Sequence, residues 1–119
     1  MPAEETRLRI TDQDGVTRVE FLDRNILDEA SIQRIGDEIT EVIEASSNPK
    51  LLISFNNVDH MSSAALGTLI TIHHKIRNRS GQLRLADIDP QIQEVFSITK
   101  LDRIFTIHED TESAMKSFD

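Results

Sequence analysis

Two rhythms of apolar residues share this chain: strict alternation, and a repeat of about 3.6 residues. Leu8 and Ile10 alternate with polar neighbours until Asp12-Gln13-Asp14-Gly15. The Asp-Gly pair predicts a hairpin turn, because glycine adopts positive φ at little cost. Val16, Val19 and Phe21 carry a second strand, with Arg18 and Glu20 turned outward. From Ala30 to Ala45, the residues Ile32, Ile35, Ile39, Val42 and Ile43 fall at helical spacing, and Asn48-Pro49 supplies the stop. The nearly continuous apolar run Leu51 to Phe55 reads as a central strand. A polar loop, Asn56 to His60, leads to Met61-Ser62-Ser63. Ala65, Leu69, Ile72 and Ile76 then make a helical stripe with Leu66 and Ile70 beside it. Lys75, Arg77 and Arg79 suit the negative end of that helix, which Ser80-Gly81 terminates. Leu83 and Leu85 alternate with Gln82 and Arg84 as another strand. Pro90 opens a short helix carrying Ile92, Val95 and Phe96. Ile104 to Ile107 reads as a last strand and Thr111 to Phe118 as a last helix.

The resulting order is ββαβαβαβα. Strands joined by helical crossovers imply parallel pairing and right-handed connections. The expectation is therefore a single α/β domain over residues 7–119, with a mixed, mostly parallel sheet and a flexible end at residues 1–6. Charged and amide residues recur at alternate strand positions: Arg18 and Glu20, then Gln82 and Arg84. A sheet covered on both faces would not place them there, so the helices are expected mainly on one face.

Composition narrows the partners. The chain has 119 residues and a formal charge of -8, with 13 basic against 21 acidic side chains. That balance opposes direct binding to nucleic acid phosphates and to anionic lipid. With no Trp or Tyr, few aromatics are present to stack on bases. The absence of cysteine excludes disulfides and thiolate metal sites. No apolar run approaches the roughly 20 residues of a membrane span. MPAEETRLRI has neither the basic nor the apolar region of a secretory signal, which makes a cytoplasmic location the expectation.

Catalytic motifs are missing. The sequence has no G-x-G-x-x-G, no phosphate-binding G-x-x-x-x-G-K-[ST], no G-x-S-x-G and no H-E-x-x-H. His73 and His74 are adjacent on a helix and point about 100° apart, while His60 and His108 stand elsewhere, so no metal set emerges. Glu38, Glu41 and Glu44 read as a solvated helix face, and Asp87, Asp89 and Asp102 as loop or cap residues. Neither an enzyme nor a cofactor is expected.

The stretch Asn57 to Gly67 holds the candidate chemistry. It joins a central strand to a helix start at the carboxyl end of the strand, where open α/β sheets place their sites. Ser62 and Ser63 stand where hydroxyls cap free N–H groups of a first turn. The same place suits a phosphoserine, since free amides and the positive dipole end meet the phosphate. Ala64, Ala65 and Gly67 keep the helix start small, which serves either close packing or close approach by a partner.

Val58-Asp59-His60-Met61-Ser62-Ser63-Ala64-Ala65-Leu66-Gly67 resembles the signature loop and helix start of STAS domains. Most of the chain follows suit, from the hairpin through Leu27-Asp28, Leu51 to Phe55, Gly81 to Leu85, and Val95-Phe96-Ser97-Ile98-Thr99-Lys100-Leu101. Within that family it is similar to bacterial anti-sigma factor antagonists. The resemblance implies a non-catalytic module of transcription regulation. In such partner switching, the antagonist binds an anti-sigma factor that is also a Ser/Thr kinase and so frees a sigma factor. Phosphorylation of a serine at the helix start weakens the complex, and a phosphatase restores it. The family pattern is Asp-Ser-Ser-Gly-Leu-Gly, with the second serine as acceptor. Here Ser62-Ser63-Ala64-Ala65-Leu66-Gly67 aligns with it, so Ala64 occupies the acceptor position. Either Ser63 or Ser62 serves instead, or no phosphorylation switch operates. The partner-binding set implied by the resemblance is Asp28, Asp59, Met61, Ser62, Ser63, Ala64, Leu66 and Gly67. Stand-alone STAS domains also occur beside ABC permeases, and docking on such a transporter is the alternative function. A wet sheet face is also compatible with homo-oligomerisation.

Overall fold

The computed structural model describes residues 8–26 and 29–118. A hairpin opens the fold, β1 (Leu8–Gln13) and β2 (Val16–Phe21) pairing antiparallel with Gln13 opposite Val16. Asp14 and Gly15 both have positive φ, 56° and 82°, the geometry that a two-residue turn needs to match strand twist. Helix α1 (Glu29–Glu44) leads to β4 (Lys50–Ser54), and α2 (Ser63–Asn78) to β6 (Gln82–Ala86). Then come α3 (Pro90–Ile98), a 3₁₀ turn over Leu101–Arg103, β7 (Thr106–His108) and α4 (Thr111–Lys116). The main sheet runs β1-β2-β4-β6-β7, parallel throughout except for the hairpin. Two short strands the alternation pattern does not announce, β3 (Asn25–Ile26) and β5 (His60–Met61), pair parallel as a separate ribbon.

Both helical stripes face inward as the spacing predicts. Ile32, Ile35, Ile39 and Ile43 of α1 and Ala65, Leu69, Ile72 and Ile76 of α2 are all buried. They pack with Ile92 and Phe96 of α3 against Val19, Phe21, Leu51, Ile53, Leu83 and Leu85. Thus α1, α2 and α3 cover one sheet face. The other face carries Arg18, Glu20 and Arg84, but α4 shields part of it: Val16, Leu52, Ala86 and Ala114 form a second small core. There Arg84 lies over the Phe118 ring at 5.1 Å and donates to Ser117 Oγ at 2.9 Å. Arg18 stays on the uncovered part beside Glu20 at 3.4 Å.

On α3, Val95 is 41% exposed while Ile92 and Phe96 are buried. One expectation needs correction. The last strand begins at Thr106, not Ile104, because Leu101–Arg103 coils as a 3₁₀ turn and leaves Ile104 exposed. Ser80-Gly81 ends α2 as expected, with Ser80 as the left-handed residue (φ 56°). Ser80 N–H donates to Arg77 O and Gly81 N–H to Ile76 O, the paired bonds of a Schellman ending. Glycine is needed at 81 for space, since a Cβ there would stand 2.3 Å from Pro49 O.

Candidate functional site

The β4–α2 loop leaves the carboxyl end of the central strand and is fastened to the loop after β2. Arg24 O accepts from Asp59 N at 2.7 Å and from His60 N at 3.2 Å. The Arg24 guanidinium grips Asp59 Oδ2 with Nη2 at 2.6 Å and Nε at 2.8 Å. His60 Nδ1 lies 3.0 Å from Asn25 Oδ1, and Asn57 Nδ2 donates to Phe21 O at 3.2 Å. Val58 is buried beneath the loop and donates its N–H to Phe55 O at 3.0 Å. These contacts make the β3–β5 ribbon a clasp holding two neighbouring loops in one register. The surface ion pair itself contributes little stability, on the order of 0.2–1 kcal/mol. Its geometric effect is to fix the start of α2.

The two serines, equivalent by spacing, are not equivalent in space. Ser62 is the N-cap: its backbone is extended and its half-buried hydroxyl accepts from Ala65 N at 3.3 Å. Ser63 is the first helical residue, exposed, with a hydroxyl that no other described residue engages. The N–H groups of Ser63 and Ala64 likewise have no partner among the described residues. They leave unsatisfied donors at the positive end of a 16-residue helix, with no acid in its first turn.

Around Ser63 the exposed surface is small: Ala64 and Gly67 are both open, and a Cβ added at Gly67 would meet nothing within 4 Å. Glycine inside a helix costs about 1 kcal/mol relative to alanine, and among the described residues no contact offsets that here. Met61 and Leu66 are half-buried and border an apolar depression of about 250 Å³ with Ile92 and Val95 of α3. Of the expected partner-binding residues, Asp59, Met61, Ser62, Ser63, Ala64, Leu66 and Gly67 thus lie on one continuous loop and helix start. Asp59 differs in being committed to Arg24. Asp28, with its neighbour Leu27, lies outside the described residues. The sequence reading missed Arg24 and Asn25; their partners are some 35 residues away, and no local pattern marks such a pair.

Among the described residues, no group of three or more His, Asp or Glu side chains is placed to hold a metal. His73 and His74 stand edge to face at 5.5 Å, nearer than the divergence of adjacent helical positions suggests. His73 also meets the Phe105 ring edge-on at 5.5 Å. Burial, followed by the His74 and Arg77 charges, lowers the His73 pKa.

A family model described as the STAS domain matches residues 9–114. The chain belongs to the STAS domain family. BtrV of Bordetella bronchiseptica, whose name provisionally assigns it as an anti-sigma factor antagonist, is 22% identical over 95 residues, 80% of this chain and 81% of that one. A solved anti-sigma-factor antagonist (STAS) domain protein from Planctomyces limnophilus superposes with a TM-score of 0.85. It is 19% identical, over 92% of this chain and 96% of that one. A sulfate transporter family protein from Wolinella succinogenes superposes with a TM-score of 0.71 at 10% identity, over 89% and 86% of the two chains. At such identities the solved structures establish the shared fold. The sequence relatives are named as regulators, not as enzymes. Among the described residues no helix is long and apolar enough to cross a membrane.

Proposed function

We propose that this STAS domain is an anti-sigma factor antagonist-like module. It docks the start of α2 on a cytoplasmic anti-sigma factor of the Ser/Thr kinase type, frees the sigma factor, and has no catalytic role of its own. The observation that carries the reading is Ser63: an exposed, uncommitted hydroxyl beside two unpaired amides, on a helix start held in place by the Arg24–Asp59 clasp. Ser62 is engaged as a cap, which favours Ser63 over Ser62 as the acceptor. On transfer, the Ser63 Oγ–P bond forms as the β,γ bond of ATP breaks, ADP departs, and the hydroxyl proton passes to a base on the kinase. The surface then changes from neutral to about -2. The free amides and helix dipole stabilise the phosphate within the module, so its fold persists while a partner surface shaped for a neutral helix start is repelled.

Ala64 at the family's acceptor position and the fold likeness to a sulfate transporter family protein favour a second reading. In that reading the same helix start is a fixed docking surface on an ABC-type transporter. Affinity capture from native lysate with added nucleotide, read by mass spectrometry, tests the choice. A histidine-kinase-like ATPase anti-sigma factor is the expected prey; a permease with its ATPase would assign the protein to transport.

A further inference from the structure

Beside Ser63 a cleft of about 690 Å³ opens between α1 and α2 and runs from Ala64 to Lys75. Gly36 and Thr68 bring the two helices close, with Thr68 Cγ2 3.1 Å from where a Cβ on Gly36 would stand. Further along, Lys75 Nζ donates to Thr40 Oγ1 at 3.1 Å and closes the far end. Buried Ile32 and Ile72 form the floor. The twelve residues from Ala64 to Lys75, eleven steps of about 1.5 Å, make the cleft about 16 Å long, about three helical turns. Being open to solvent along its length, it suits an elongated element better than an enclosed small molecule.

The walls carry opposite characters. On α1, Glu29, Gln33 and Asp37 recur every fourth residue along the cleft, all exposed. Glu29 and Asp37 take part in no ion pair with a described residue. On α2 the wall is uncharged, Thr68 and Thr71, up to Lys75, the one basic residue lining the cleft among those described. An acidic rim above an apolar floor repels nucleic acid and anionic lipid. It attracts Lys or Arg side chains, whose apolar stems can lie along the threonine wall while their heads reach the carboxylates.

We propose that this cleft seats a basic amphipathic helix of a protein partner, extending the contact made at Ser63 by about three turns. The proposal rests on the partner-switching reading for its biological partner, but its chemistry can be tested separately. One measurement titrates the isotope-labelled full chain with a synthetic amphipathic helix of about 18 residues bearing lysines around a leucine–alanine stripe. Its glutamate counterpart serves as control. The lysine peptide should shift the amides of Gly36, Thr68 and Thr71, lose affinity between low and moderate salt, and bind Glu29→Lys/Asp37→Lys about five- to tenfold more weakly. Equal binding of both peptides, no binding, or shifts confined to α3 or the sheet would overturn the proposal. The second measurement compares a purified kinase-type anti-sigma factor on wild type, Glu29→Lys/Asp37→Lys and Ser63→Asp. Loss of affinity in both variants supports the cleft. Full affinity of the double variant alongside a weakened Ser63→Asp removes the cleft and leaves the Ser63 reading intact. If no such factor binds wild type, the Ser63 reading fails, and the peptide titration alone decides the cleft.

Discussion

Adjacent serines with different duties should separate cleanly under alanine substitution. Ser62 Oγ accepts the Ala65 N–H, and replacing a serine cap by alanine costs about 0.5–2 kcal/mol. The bond is 3.3 Å, longer than the usual ~2.9–3.0 Å, which places the expected cost of Ser62→Ala in the lower half of that range, about 0.5–1 kcal/mol. Ser63 is exposed and its hydroxyl meets no described residue, so Ser63→Ala should stay within about 0.5 kcal/mol of wild type. Urea unfolding followed by far-UV circular dichroism reads both. With a slope of about 1.5 kcal/mol/M, Ser62→Ala should lower the midpoint by about 0.3–0.7 M at unchanged slope. Ser63→Ala should unfold close to the wild-type midpoint. If Ser63→Ala loses as much as Ser62→Ala, or if Ser62→Ala loses nothing, the division into a capping and a signalling serine is wrong.

Other substitutions probe the core, the docking surface and the histidine pair. Ile72, 1% exposed in the main core, should cost about 2–5 kcal/mol on truncation to alanine, measured by the same unfolding curves. Gly67→Ala should raise stability by about 0.5–1 kcal/mol, since its Cβ meets nothing, yet weaken partner binding in calorimetry; unchanged affinity would show that no partner backbone approaches there. The His73 pKa is lowered in the fold from 6.5, chiefly by burial, so the unfolded chain takes up that proton first. Stability associated with His73 is therefore complete above pH 6.5 and declines as pH falls towards the lowered folded value. His73→Gln should flatten that decline in unfolding midpoints measured from pH 7.5 to 5.5; an unaltered slope would locate it in other groups.

The main sheet, its order of elements and both inward helical stripes were legible because each rests on local periodicity. Leu69, Ile72 and Ile76 announce their burial by spacing, and Asp14-Gly15 its turn by conformational preference. Interactions between distant segments were not legible. The β3–β5 ribbon is two residues per strand, too short for any alternation, and exists through Arg24 carbonyl and guanidinium contacts with Asp59 and His60. Val95 shares its helical spacing with buried Ile92 and Phe96, yet it stands 41% exposed. The need for glycine at 81 comes from the Pro49 carbonyl, 32 positions upstream. At the candidate site, the motif located the loop and helix start. Which serine caps and which stays free depended on the turn geometry at Met61–Ser63.

Calorimetric titration of the purified chain into each histidine-kinase-like anti-sigma factor encoded in its own genome, with nucleotide present, tests the Ser63 docking site most directly. One factor should bind wild type and Ser63→Ala alike and bind Ser63→Asp at least about tenfold more weakly, as a charge placed in a closely packed interface requires. Equal affinities for Ser63→Ala and Ser63→Asp, or no binding to any such factor, would contradict it.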